Sequence, residues 1–149
     1  MKKILLISIA LMGIIFLFSI LYLSTQTREP KAKIGGREFN LEIAKTDSEK
    51  QIGLSKYKDI PQNFGMLFPF GKANYYSFWM KDMKFPIDII FIRNSKIVTI
   101  FKNAPVPKFN NQHLPIYRPN ELSDTVLEIS AGLSEKYNFQ KNQVVEINY

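Results

Sequence analysis

Tyr75-Tyr76-Ser77-Phe78-Trp79-Met80-Lys81, followed after a short break by Ile87-Asp88-Ile89-Ile90-Phe91-Ile92, is the stretch that decides the fold class. Both pieces are rich in aromatic and β-branched residues, and Asp82-Met83-Lys84-Phe85-Pro86 between them ends in proline, so they read as two strands. Strand alternation puts Tyr76, Phe78 and Met80 on one face and Tyr75, Ser77, Trp79 and Lys81 on the other. If the two strands form a hairpin with Lys81 opposite Asp88, Trp79 meets Ile90 and Ser77 meets Ile92, while Met80 meets Ile89 and Phe78 meets Phe91 in the core. A slip of one residue would exchange the faces, so this register is an assumption for the structure to test.

Strand signals continue on both sides. Upstream, Lys31 to Ile34 and Glu38 to Ala44 flank the turn dipeptide Gly35-Gly36, and Gly65 to Phe70 is an apolar strand with Pro69 near its exit. Thr46-Asp47-Ser48-Glu49 has the form of a capping box and opens a short helix. Downstream, Lys96 to Phe101, Thr125 to Ile129 and Gln143 to Ile147 are strands, and Ala131 to Tyr137 is a short helix. Lys102 to Ser123 holds four prolines and no sustained period, and is too long to be a mere connector. The expected fold is therefore mainly β: a compact antiparallel barrel or two-layer sandwich with one or two short helices.

The start of the chain reads differently. After the short basic head 1–3, Ile4 to Leu23 carries no charge and is long enough to span a bilayer core of about 30 Å as one helix. No Ala-x-Ala follows it, so an uncleaved single-pass transmembrane anchor is expected over 4–23, with a polar linker over 24–30. Residues 31–149 form one domain, expected on the extracytoplasmic side of the cell membrane, close to its surface. The chain of 149 residues has no cysteine, which excludes disulfides, a thiol nucleophile and a lipoprotein signal. Its net charge is +7, but the lysines are scattered (Lys45, Lys50, Lys56, Lys58, Lys72) and make no recognition-helix pattern, so nucleic acid is not an expected partner. Nothing in the sequence sets an oligomeric state.

Few residues offer chemistry. The hairpin register would set Trp79 beside a Lys81/Asp88 pair, an apolar plate with directed polar groups of the kind that floors a ligand site. Asp88 and Lys81 are also the candidate catalytic residues, as a general base and the cation that tunes it. Tyr117 and Arg118, in the proline-rich loop, add a ring and a guanidinium. The expected ligand-binding set is thus Trp79, Lys81, Asp88, Tyr117 and Arg118. No metal and no cofactor is expected: Asp82 and Asp88 lack a metal-loop spacing and are opposed by Lys81 and Lys84. His113, the single histidine, has no evident triad partners, and Glu128 is expected at an outward strand position.

Several motifs then occur in order: Gly65-Met66-Leu67-Phe68, Phe78-Trp79-Met80-Lys81, Pro86-Ile87-Asp88-Ile89-Ile90-Phe91-Ile92, Ala104-Pro105, Tyr117-Arg118 and Val126-Leu127-Glu128-Ile129-Ser130-Ala131-Gly132. They resemble the domain-of-unknown-function family 192 over roughly Gly36 to Ile147. The chain departs from that pattern at Asp82-Met83, Gly53-Leu54-Ser55 and Asn138 to Asn142. The resemblance implies a small exported or membrane-anchored domain of compact β architecture, and little about chemistry. The residues lead to a membrane-tethered envelope accessory domain that binds a small polar ligand or an exported polypeptide. The alternative is an envelope enzyme of hydrolase type built on Asp88 and Lys81.

Overall fold

The computed structural model describes residues 11–20, 29–108 and 114–149. Residues 11–20 are helical (α1) with exposed side chains. The remainder of the 4–23 run, the head, most of the linker and His113 lie outside the described residues. Among those described, no helix is long and apolar enough to cross a membrane.

From residue 29 onward the chain is mainly β. Its strands are β1 (Lys31–Ile34), β2 (Arg37–Ile43), β3 (Phe64–Asn74), β4 (Phe78–Trp79), β5 (Ile87–Arg93), β6 (Lys96–Ala104), β7 (Ile116–Tyr117), β8 (Ser123–Ser130) and β9 (Val145–Asn148). Two short helices, α2 (Asp47–Ile52) and α3 (Leu133–Lys136), and a 3-10 turn (Gly53–Lys56) complete it. The capping box forms in both directions: Glu49 N donates to Thr46 Oγ1 at 3.2 Å, and Thr46 N donates to Glu49 Oε2 at 2.7 Å.

Seven strands make one sheet in the order β6-β5-β8-β3-β2-β1-β9. All its pairs are antiparallel except β2 with β3, which the α2 excursion joins in parallel. The sheet curls into a half-barrel whose edges meet at one end, where Lys96 bridges Val144 and Val145 N donates to Ser95 O at 2.9 Å. Inside the curl lies a core supplied by all seven strands, including Ile34, Phe39, Leu67, Ile90, Ile97, Leu127 and Val145. A second core covers the outer face of the middle strands: Met66, Phe68, Ile87, Ile89, Phe91 and Val126 pack under Leu54, Ile60, Met80, Met83 and Phe85. Burial on both faces explains why Ile87 to Ile92 is apolar almost without interruption.

Two expectations need correction. The segment Tyr75–Lys81 contributes only the two-residue β4, which pairs with β7 (Phe78 with Tyr117, Trp79 with Ile116) and not with β5. Strand β5 takes β6 and β8 as neighbours instead, so the hairpin that would oppose Lys81 and Asp88 does not form. The physical reason is that β5 finds two long partners that bury it on both faces, whereas the segment before it is used to cover the outer face. Likewise β3 does not stop at Phe70 but runs on to Asn74, with a register shift between Pro69 and Asn74 where proline lacks an N–H to donate.

Candidate functional site

Asp88 is fully buried, and its carboxylate serves the backbone. On β6, Ala104 and Phe101 pair with Ile87 and Ile89, so Lys102 and Asn103 together oppose Asp88 in a bulge. Asn103 takes a left-handed conformation (φ 53°) there, and its N–H turns to Asp88 Oδ1 at 2.8 Å. Gly132 N donates to the same oxygen at 3.1 Å, and Ser134 N, at the start of α3, to Oδ2 at 2.7 Å. The carboxylate thus pins the β6 bulge and the β8–α3 turn to β5. Lys81 is exposed on a different element, and no Lys81–Asp88 ion pair forms among the described residues.

On the outer face of the sheet lies a cleft of about 340 Å3. Residues of α2 and the 3-10 turn form one wall, and Tyr76, Ser77, Phe78, Trp79 and Lys81 form the other, with Phe68 and Phe70 of β3 between them. Trp79 is half exposed at the mouth, and the Phe70 and Tyr76 rings stack with centroids 3.6 Å apart. Lys50 Nζ lies 5.0 Å from the Phe70 centroid. A second hollow, sharing Gln51, Ile52, Trp79 and Lys81, continues the cleft toward Ser55 and Asp82.

The expectation that Glu128 points outward to solvent is overturned. It does sit on the outer face with Val126, but that face is covered, and Glu128 is 5% exposed at the cleft floor. Its neighbours in the ladder are Met66 and Ile89. No hydrogen bond to its carboxyl forms among the described residues, and burial alone pushes its pKa up to about 8. Gly53 lies directly above: at φ 52° it closes α2, and a Cβ there would come within 3.5 Å of Phe68 Cζ and 3.8 Å of Glu128 Oε2. The missed signal was an acid inside Val126-Leu127-Glu128-Ile129, a run whose apolar residues already occupied both faces.

Of the five residues expected to bind ligand, Trp79 and Lys81 line the cleft; Asp88, Tyr117 and Arg118 do not. Tyr117 pairs with Phe78 and packs edge-on against Phe101 (centroids 5.3 Å apart), and partial burial raises its phenol pKa. Arg118 lies over the Tyr75 ring, 5.4 Å from its centroid. These two residues fasten the β4 wall from behind. Asp82, exposed in a turn, and buried Asp88 do not share a site.

A curled seven-stranded half-barrel, one outer face roofed by α2 and the 75–85 segment with a cleft between them, defines a small mainly-β single-domain class. The chain belongs to the family DUF192, described as uncharacterised ACR, whose sequence profile matches residues 30–147. Two crystal structures share the fold. One, a protein of unknown function from Novosphingobium aromaticivorans DSM 12444, is 25% identical with TM-score 0.68, over 79% of this chain and 83% of its own. The other, from Sinorhizobium meliloti 1021 and described as a candidate transcription regulator, is 26% identical with TM-score 0.69, over 80% and 92%. No protein with a curated description matches the chain.

Proposed function

We propose that this protein is a membrane-tethered accessory domain of the cell envelope that binds a small polar ligand in the cleft over Glu128. The observation that carries the reading is that carboxyl. Leaving an acid in apolar surroundings without a partner costs stability, and a ligand that meets it would recover part of that cost. The aromatic wall and the few directed polar groups fit the usual make-up of a small-molecule site. An exported polypeptide segment entering by a side chain is accommodated by the same geometry. The tether is the uncharged run 4–23, with the domain on the extracytoplasmic side. Enzymatic use of Asp88 as a base tuned by Lys81 finds no support in the geometry, since three backbone N–H groups occupy the Asp88 carboxylate.

Thermal unfolding of the full chain in detergent micelles, against a panel of envelope sugars, nucleotides, amino acids and peptides, tests the reading. A ligand at about a hundred times its Kd stabilises the native state by roughly 2.7 kcal/mol. The expected result is a rise in midpoint that Trp79→Ala loses. A panel that leaves the wild type unmoved counts against a small-ligand site and turns attention to protein partners.

A further inference from the structure

The charges around the cleft are arranged by depth. At the floor, Glu128 is 5% exposed, without a hydrogen-bond partner among the described residues, and its open side faces the cavity. At the mouth stand Lys50 and Lys81, with the carboxylate of Asp47 beside Lys50 on α2 and that of Asp82 farther along the continuing hollow. Neither lysine takes part in an ion pair among the described residues. Between floor and rim lie the aromatic faces of Phe70, Tyr76 and Trp79. An ammonium group satisfies a buried carboxylate and is also attracted to aromatic faces. A ligand that was only cationic would meet the two lysines on entry, so an anionic group on the same molecule completes the match.

We propose that the cleft takes a small zwitterion, its ammonium group seated against Glu128 and its acidic group held at the mouth by Lys50 and Lys81. This rests on the cleft being a ligand site and names the chemistry of that ligand. Burial holds Glu128 protonated until about pH 8, so binding of an ammonium is coupled to loss of that proton. The other titratable groups facing the cleft are Asp47 and Lys50 from α2 and Tyr76 and Lys81 from the opposite wall, with Asp82 in the continuing hollow; the ladder neighbours Met66 and Ile89 do not titrate.

Taurine and isethionate make the test, because they differ only in carrying an ammonium or a hydroxyl on the same sulfonate. Calorimetric titration of the full chain in micelles at pH 8 should show taurine binding at least tenfold more tightly than isethionate. Glu128→Gln should abolish the preference, and Trp79→Ala, at an exposed position, should weaken taurine without loss of folding. The preference should grow from pH 6 to about pH 8 and fall again at higher pH, once the taurine ammonium loses its own proton. Isethionate binding as tightly as taurine, a preference that survives Glu128→Gln in a folded variant, or one that grows on acidification from pH 8 to pH 6 overturns the proposal. If neither sulfonate binds while a neutral sugar or nucleotide gives a thermal shift lost in Trp79→Ala, the zwitterion falls and the ligand site stands. If nothing shifts the wild type, both fall.

Discussion

Two buried acids sit on neighbouring strands, and their surroundings differ. Asp88 accepts three backbone hydrogen bonds, while Glu128 accepts none among the described residues. Removing Asp88 orphans three N–H groups. Asp88→Ala should therefore lower unfolding free energy by about 3 kcal/mol or more, whereas Lys81→Ala, at an exposed position, should change it by less than about 0.5 kcal/mol. Hydrogen exchange should show the amides of Asn103, Gly132 and Ser134 losing protection together in Asp88→Ala. Similar losses in the two variants would restore the functional pairing of Lys81 and Asp88.

Glu128 predicts a dependence of stability on pH. Its folded pKa of about 8 lies above the ordinary carboxyl value of 4.5. Between those values the unfolded chain ionises and the folded one does not, so the contribution is fully present below about pH 4.5 and is lost as pH rises through 8. Wild type should lose on the order of 3–5 kcal/mol relative to Glu128→Gln across that window, read from urea unfolding at pH 5, 6.5 and 8. Parallel curves for the two proteins would mean that Glu128 is solvated or paired.

Among the elements, the pairing of β3 with β8 sets the position of the cleft floor. The two strands approach closely at Gly65, where a Cβ would stand 2.8 Å from the backbone oxygen of Glu128 and 3.0 Å from Ile129 Cγ2. Gly65→Ala must push β8 outward, and should cost about 2 kcal/mol or more while disturbing Glu128 from the neighbouring strand. A midpoint within a degree of wild type would show that the strands can separate there without loss. At Gly53 the requirement is conformational as well as spatial, since φ 52° suits glycine and the residue closes α2 over Phe68. The Thr46 capping box was visible in the sequence as a cap signal, whereas Gly65 was read only as the start of a strand and Gly53 only as part of a departure from the family pattern. What each supports was not visible there.

For the whole molecule, the proposed tether carries a prediction of its own. The uncharged run 4–23 behind a short basic head predicts export of the C-terminal part. Alkaline phosphatase, which folds to an active form only outside the cytoplasm, should be active when fused after Tyr149, and a fluorescent protein that requires the cytoplasm should stay dark there. The reverse pattern would place the cleft in the cytoplasm and exclude envelope ligands.

Local pattern was enough to place most elements. Alternation in Lys31 to Ala44, the capping box at Thr46 and the apolar runs at Gly65, Ile87 and Val126 mark strands and a helix that the fold contains, because each signal depends on residues a few positions apart. The partner of each strand was not legible. Strand β5 could satisfy its ladder with the segment before it or with β6 and β8, and only the burial of both its faces selects the latter. Tertiary structure also reversed the faces that matter. Asp88 is drawn inward because a bulge at Asn103 and the turn at Gly132, distant in sequence, supply its hydrogen bonds, and Glu128 is roofed because α2 and Trp79's segment fold over it from opposite sides. The sequence by itself determined a β domain behind an uncharged N-terminal run, since composition and short-range period carry that information. Which acid is clamped by backbone N–H groups and which is left at the floor of a cleft was decided by long-range contacts, because burial is a property of the assembled surface and not of any one strand.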